Sequence, residues 1–452
     1  MVELSGNDIA RLIREAGVAG AGGAGFPTHV KASSSAGTVI ANGAECEPLL
    51  DCDTALMIHN PKAVLDGLVL LGRATGAGEL VIAIKQKNLQ AIEAVERELV
   101  SPRFASSGIR LLRVGNFYPA GDEVSLVYEV TGRVPPEGGL PLDVGVVVQN
   151  VGTLSKIADA VEGKPFIRRF VTVAGEVQSP RTFDAPLGTS LKTLIQGAGG
   201  PKEQPFAIVV GGPCMGWAAS SLDEPVTKTL TGVLVLRPDH PLIALKAANI
   251  DQLLHRAKSV CDQCRDCTDL CPRYLLGHRL EPHKLMSAIG WGNKLGSEVM
   301  REVHYCCECG VCGLYACPMG LYPHLYFIRI KQELNAAGIC REKGLPPLPV
   351  HAEYQGRKLP AGRLRARLKL SGYAEHVPFH PEALEPDCVT LMLHQHTGAP
   401  SLPVVEAGRA VMAGDLIAEI PEGALGARVH ASISGRVTEV TGDAIRIQAE
   451  NG

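Results

Sequence analysis

The spacing of apolar positions changes along this chain, and each change marks a different kind of unit. Residues 1–165 alternate short apolar runs with helical patterns. Thr38-Val39-Ile40-Ala41, Leu80-Val81-Ile82-Ala83-Ile84 and Gly145-Val146-Val147-Val148 are continuous runs, as strands buried on both faces require. Pro61 to Ala74 and Asn88 to Leu99 carry the 3.6-residue spacing of amphipathic helices. The opening segment sets Ile9, Leu12, Ile13 and Ala16 on one face, with Asn7 or Asp8 as its cap. It predicts a domain-starting helix; the alternative is a docking peptide for a larger assembly.

From 166 to 240 the pattern turns to alternation. Phe170 to Val177, Ile208 to Val210 and Gly232 to Leu236 predict strands, and Ser190 to Ala198 one helix. A small mixed sheet with one helix fits. Residues 245–335 read as helical and hold the clustered cysteines. Residues 336–384 include the basic, proline-rich stretch KGLPPLPV and GRKLPAGRLRARLKL, which predicts a linker with a solvated charge run. Residues 385–452 return to short alternating strands between glycine turns.

The 452 residues exceed what one core can enclose, in keeping with several domains. A net charge of −3 and the lack of a Lys/Arg block argue against a nucleic-acid or membrane-surface partner. No apolar run approaches the ~18 residues that span a bilayer. The N-terminus has no signal-like apolar core, so a cytoplasmic location is expected. Nine of the 14 cysteines fall in two tight groups, which in such a chain points to metal rather than disulfides.

The first group is Cys261-x2-Cys264-x2-Cys267-x3-Cys271-Pro272. The second is Cys306-x2-Cys309-x2-Cys312-x4-Cys317-Pro318. Three thiolates at x2 spacing wrap one face of an iron–sulfur cubane, and a fourth comes from farther along. Structural zinc instead uses two CxxC pairs with a longer spacer. Two [4Fe–4S] clusters are therefore expected. In two-cluster ferredoxins the fourth cysteine ligates the other cluster, which would exchange Cys271 and Cys317 between the triads. The x4 spacing and the neighbouring Cys307 depart from the pattern and predict a bulge.

Gly20-Ala21-Gly22-Gly23-Ala24-Gly25-Phe26-Pro27-Thr28 contains GxGxxG, but it follows a helix rather than a strand. The spacing alone therefore does not make it a dinucleotide fingerprint. Its glycines still let backbone N–H groups approach a phosphate, with Lys31 adding charge; a plain loop is the alternative. Asn42-Gly43-Ala44-Glu45-Cys46-Glu47-Pro48 follows a strand, where α/β sheets bind ligands.

GAGGAGFPTHVK, NGAECEP, YPAGDE, QNVGT and the double cysteine motif together resemble a known family. The N-terminal half resembles the NADH-oxidising flavoprotein subunit of respiratory complex I, and the chain resembles the RnfC component of the Rnf complex. Over nearly its full length it resembles the cobalamin (corrin) reductases of bacterial propanediol-utilisation microcompartments. The resemblance implies a multidomain α/β fold. A Rossmann-like flavin/NADH domain (1–165) precedes an SLBB β-grasp domain (166–240). A helical two-cluster ferredoxin-like domain (245–335) follows, then the linker and a barrel-sandwich hybrid (385–452).

The resemblance also implies a site. Gly20, Gly22, Gly23 and Gly25 would cradle the phosphate of a non-covalent FMN, with Lys31. Asn42 would contact the flavin, Phe26 and Glu47 would line the nicotinamide side, and Glu45 belongs to the same cluster. Tyr118, Gly121, Asp122 and Glu123 match the loop near the isoalloxazine, and Asn150 a flavin-contacting Asn. Ala44 replaces an acidic residue of the complex I protein and Gln149 an Asn, which implies weaker flavin binding. NADH would be the donor and cobalamin the substrate. An adenosyltransferase and a microcompartment shell protein would be partners. Without a DxHxxG corrin motif, cobalamin would dock rather than be buried. The alternative is an Rnf-like electron-transfer protein feeding a protein acceptor. No lysine lies in 371–452, so lipoyl or biotinyl attachment there is excluded, and His394 with His396 reads as a surface pair.

Overall fold

The computed structural model describes residues 4–292, 294–340 and 343–450. Its first unit is a parallel sheet in the order Arg110–Val114, Glu79–Lys85, Thr38–Gly43, Val146–Asn150. The predicted runs supply three of these strands. The fourth, Arg110–Val114, escapes the pattern because an edge strand in contact with water keeps arginines at both ends of Arg-Leu-Leu-Arg.

The helix Gly6–Glu15 buries Ile9 and Ile13 fully in the same core as Leu65, Leu68 and Leu154, each side chain contributing roughly 2–3 kcal/mol. It is a domain-starting helix. Its cap is Ser5, not Asn7 or Asp8. Asp8 is three residues inside, and its carboxylate returns to the Ser5 N–H at 3.2 Å as the second half of a capping box.

A mixed sheet follows, in the order Arg181–Pro186, Arg168–Gly175, Gly232–Leu236, Ala207–Val210, Trp217–Ala218. Its central pair is parallel, the others antiparallel, and the helix Leu191–Gly197 is capped by Ser190. Short helices between Ile250–Val260 and Pro323–Ala336 enclose the cysteines. The C-terminal unit stacks a four-stranded sheet on a three-stranded one, sharing a core with the mixed sheet.

The expected linker is instead a packed strap. Leu359 pairs with Tyr118 in a two-residue ladder, and the helix Ala361–Arg367 buries Leu364, exposes Arg363 and Arg367, and turns Arg365 back onto the Leu370 carbonyl at 3.2 Å. Leu368 and Leu370 are buried too, and Phe379 stacks on Phe170 at 4.8 Å. The leucines, spaced between the charges, hold this segment down. No described helix is long and apolar enough to cross a membrane.

Candidate functional site

The chain leaves Thr38–Gly43 towards one edge of the parallel sheet and later returns on its other side as Val146–Asn150. The crevice beyond the C-terminal ends of these two strands is therefore the topological switch point, where open α/β sheets bind ligands. Asn42 and Asn150 stand there. Asn42 fixes the Tyr118–Glu123 loop, donating to the Gly121 carbonyl at 2.9 Å and accepting from the Ala44 N–H at 3.1 Å. Asn150 caps the helix Val151–Val161 and donates to Asp53 at 2.7 Å. The glycine loop is seated on that helix start by Ala21 N–H to Thr153 Oγ1, 2.8 Å.

The loop has the shape of a cradle. A Cβ on Gly22 would lie 3.1 Å from Asn150 Cβ, while Gly23, at φ +108°, faces open space. The Gly20 N–H closes the loop on the Phe26 carbonyl at 2.9 Å. Gly25 has another duty: a Cβ there would lie 3.1 Å from His396 and Thr229, and Thr397 of the sandwich domain donates its N–H to the Gly25 carbonyl and its hydroxyl to the Ala24 carbonyl, both at 2.9 Å. Lys31 reaches the crevice, held by the Val148 carbonyl at 2.9 Å and Glu123 at 3.2 Å. Thr28 Oγ1 and Gln149 Oε1, buried at the ends of the loop and strand, have no partner among the described residues. These residues fit a phosphate-bearing flavin.

Two expected contacts are spent elsewhere. Glu45 accepts from the Asp53 and Thr54 N–H groups and from Thr54 Oγ1, tying down the start of the helix Cys52–His59. Burial, then the nearby Asp53 charge, pushes its carboxyl up to about 7. Glu47 accepts from the Cys214 and Met215 N–H groups at 2.8 and 2.9 Å, clipping the mixed-sheet domain to the crevice. An enclosed carboxylate must find donors, and backbone N–H groups supply them. Cys46, which has no ligand spacing in the sequence, lies inside the site: its Sγ accepts from the Gly121 N–H at 2.7 Å and donates to the Ala44 carbonyl. Its place within NGAECEP was the available signal.

The cysteines fall into two cavities. Cys261, Cys264, Cys267 and Cys317 line one, with Met319. Cys271, Cys306, Cys309 and Cys312 line the other, with Cys307 and Arg273. Each motif thus lends its fourth cysteine to the other's triad. The two loops repeat one backbone: Gln263 and Arg265 in the first, Glu308 and Gly310 in the second, all have positive φ. Left-handed residues other than glycine cost roughly 1–2 kcal/mol each, so these turns are held by the surroundings that aim the thiols inward. The extra residue of the second motif is taken up in a π-turn, where Cys317 N–H reaches the Cys312 carbonyl at 3.1 Å. Burial pushes the Cys267 and Cys271 thiols up to about 12, so cluster assembly must displace their protons. Four thiols per cavity fit a cubane, with Cys307 left as a fifth beside one.

The crevice and the second cavity touch. Tyr118 O–H donates to the Cys309 carbonyl at 2.7 Å, and Arg273 pairs with Asp122 at 2.8 Å. Both side chains of that pair are 11% exposed. Removing either partner would strand a charge at a cost of about 3–5 kcal/mol. Asp122 also caps the helix Glu123–Thr131. The first cavity lies farther out, with Cys264 exposed.

A separate cleft of about 500 Å³ opens behind the glycine loop, between Asp53, Gly152, Phe166 and Gly414. Ala21 of the glycine loop and Gly152 of QNVGT line its edge; the other residues expected to hold the flavin do not. Lys156, Lys164 and Arg168 are paired, with Asp159 at 2.8 Å, Glu162 at 2.7 Å and Asp184 at 3.0 Å, while Arg169 donates to the Ala21 carbonyl at 3.1 Å. His394 and His396 each bond a backbone carbonyl through Nε2, and His396 is buried, so the expected surface pair is instead two loop-fixing groups.

Residues 13–159 match the Nuo51 FMN-binding domain and 170–218 the SLBB domain. Residues 260–322 match the 4Fe-4S dicluster domain and 376–451 the RnfC barrel sandwich hybrid domain. The cobalamin reductase PduS of Citrobacter freundii is 42% identical, over 97% of this chain and 96% of that protein. The RnfC-type component of the proton-translocating ferredoxin:NAD(+) oxidoreductase complex of Clostridium ljungdahlii is 37% identical, over 60% of this chain and 57% of that one. Among solved structures, an NAD+-reducing [NiFe]-hydrogenase in its H2-reduced state aligns at TM-score 0.47 and 21% identity, covering 81% of this chain and 67% of that one. The cobalamin reductase PduS of Salmonella typhimurium is 42% identical over 447 residues, 99% of this chain and 97% of that protein; the chain belongs to this cobalamin reductase family.

Proposed function

We propose that the protein reduces cobalamin at the expense of NADH, taking cob(III)alamin and cob(II)alamin towards the form that is adenosylated. FMN accepts a hydride as an electron pair and gives electrons up singly, and iron–sulfur clusters carry single electrons, which suits a cobalt acceptor. The glycine loop, Lys31, Asn42 and Asn150 would hold the flavin non-covalently. Tyr118, Gly121 and Asp122 would position the loop beside it. Cys271, Cys306, Cys309 and Cys312 would hold one [4Fe–4S] cluster, and Cys261, Cys264, Cys267 and Cys317 the other.

The observation that carries this reading is the contact between the crevice loop and the second cavity, Tyr118 to Cys309 and Asp122 to Arg273. It supports an order in which one thiol set would lie against the flavin and the other, with Cys264 exposed, would face a docked acceptor. The family's name supports cobalamin as that acceptor. Recycling of adenosylcobalamin in propanediol degradation would place the protein in a bacterial microcompartment, beside an adenosyltransferase and a shell protein.

The test is anaerobic reduction of hydroxocobalamin by NADH with reconstituted protein, followed by the corrin spectrum. Cob(II)alamin should form readily, and cob(I)alamin slowly unless an adenosyltransferase removes it. Activity towards ferricyanide with none towards any corrinoid, even with that partner, would move the protein to the Rnf-like alternative.

A further inference from the structure

The two cysteine motifs end alike, Cys271-Pro272 and Cys317-Pro318, and the residue after each proline faces the cavity that its own cysteine joins. In one case that residue is Met319, in the other Arg273. The repeated turn therefore sets a neutral thioether against one cluster site and a guanidinium against the other. The rest of the surroundings keep this asymmetry. Asp262 lines the first cavity at the position where Cys307 lines the second. Arg265, at the rim of the first, is half exposed and turned to Asp269 and Tyr274. At the second, Lys331 bonds the Cys306 carbonyl and is neutralised by Glu308.

Arg273 differs from these outer charges. Nη2 is fixed by Asp122, on the loop that edges the flavin crevice, at 2.8 Å. Nη1, buried, has no hydrogen-bond partner among the described residues. An unpaired N–H of a buried cation beside a cavity lined by thiols is explained by an anionic group inside that cavity. A [4Fe–4S] cluster with four thiolates is such a group, and it gains negative charge on reduction.

We propose that Arg273 is a positioning residue that raises the reduction potential of the cluster held by Cys271, Cys306, Cys309 and Cys312, with Asp122 limiting the rise. A fixed positive charge at low local dielectric favours the more negative, reduced state, and a carboxylate paired to it weakens that effect. The flavin loop and the inner cluster thereby share one ion pair. Among the described residues the outer cluster has no equivalent buried cation, Arg265 being half exposed, so the two centres differ in potential by construction. The proposal rests on the assignment of clusters to the two cavities.

The test is an EPR-monitored redox titration of reconstituted protein with dithionite and mediators, which needs neither NADH nor a corrinoid. Cys309→Ala identifies the inner signal by its loss; two signals that both persist in Cys309→Ala would refute the cluster assignment itself. Arg273→Gln should lower the midpoint of that signal alone. The expected shift is at least a tenfold change in the oxidised-to-reduced ratio at fixed potential, ~59 mV for one electron. Arg273→Lys should restore most of it. Asp122→Asn, which keeps an N-cap residue and leaves the arginine in place, should move the same midpoint upward. Should Arg273→Gln fail to assemble the cluster, Asp122→Asn decides. Unchanged midpoints in both, or equal shifts of both clusters, would overturn the proposal.

Discussion

Gly23 sits at an exposed loop tip with no atom within 4 Å of where a Cβ would stand, so substitution there tests charge rather than packing. At φ +108° any side chain brings backbone strain, which Gly23→Ala and Gly23→Asp share, so the difference between them reads the charge. Gly23→Asp should expel FMN, because its carboxylate would face the phosphate. Gly23→Ala should weaken flavin retention less. The flavin-to-protein ratio after gel filtration measures both, and full retention in the Asp variant would remove the loop from the site. At the same scale, Cys307→Ser should keep about eight iron atoms per chain, and Cys309→Ala should lose about four. The gathering of the motif cysteines into two sets was legible because spacing alone specifies it. Cys46 was not, since its role depends on Gly121, 75 residues away. The carboxylates of Glu45 and Glu47 were misplaced for the same reason: which backbone N–H groups reach them is decided by packing.

At the scale of elements, the helix Cys52–His59 begins inside a group of enclosed acids. Burial pushes Asp51 and Asp53 up to about 6, and Glu45 to about 7. In the unfolded chain these carboxyls ionise near their ordinary values of 3.8 and 4.5. Their stabilising contribution is thus complete below about pH 4 and is lost as pH rises through 6 to 7. Glu45→Gln cannot ionise, but loses one acceptor oxygen, a cost of about 1 kcal/mol. The variant should melt slightly below the parent at pH 5, and the gap should close or reverse at pH 8. A gap that is constant across pH would show that Glu45 stays ionised in the fold. The helices Leu191–Gly197 and Leu89–Leu99 were readable within the segments Ser190 to Ala198 and Asn88 to Leu99. The π-turn was legible only as one surplus residue between Cys312 and Cys317. The strap at 336–384 was hidden because charge dominates its composition, although Leu359, Leu364, Leu368 and Leu370 anchor it.

For the whole molecule, the order of domains could be read because each has its own hydrophobic period. Their contacts could not, since Tyr118 and Arg273 join the crevice to the inner cavity through partners far away in the sequence, Cys309 and Asp122. That junction makes the two cluster sites inequivalent, and the last prediction follows from it. Cys264→Ala and Cys309→Ala each remove one cluster but should fail in different ways. In Cys264→Ala the crevice still borders an intact inner site, so NADH should reduce the remaining cluster, while corrinoid reduction falls by more than about tenfold, ~1.4 kcal/mol of barrier. In Cys309→Ala the outer site is intact but has lost its neighbour. NADH should bleach the flavin yet leave the remaining cluster oxidised on the timescale of turnover, although dithionite reduces it. Freeze-quenched EPR at successive times after mixing with NADH separates the two cases. Fast reduction of the outer cluster in Cys309→Ala would mean that electrons enter from another side, and the Tyr118–Cys309 contact would then be only a structural bond between domains.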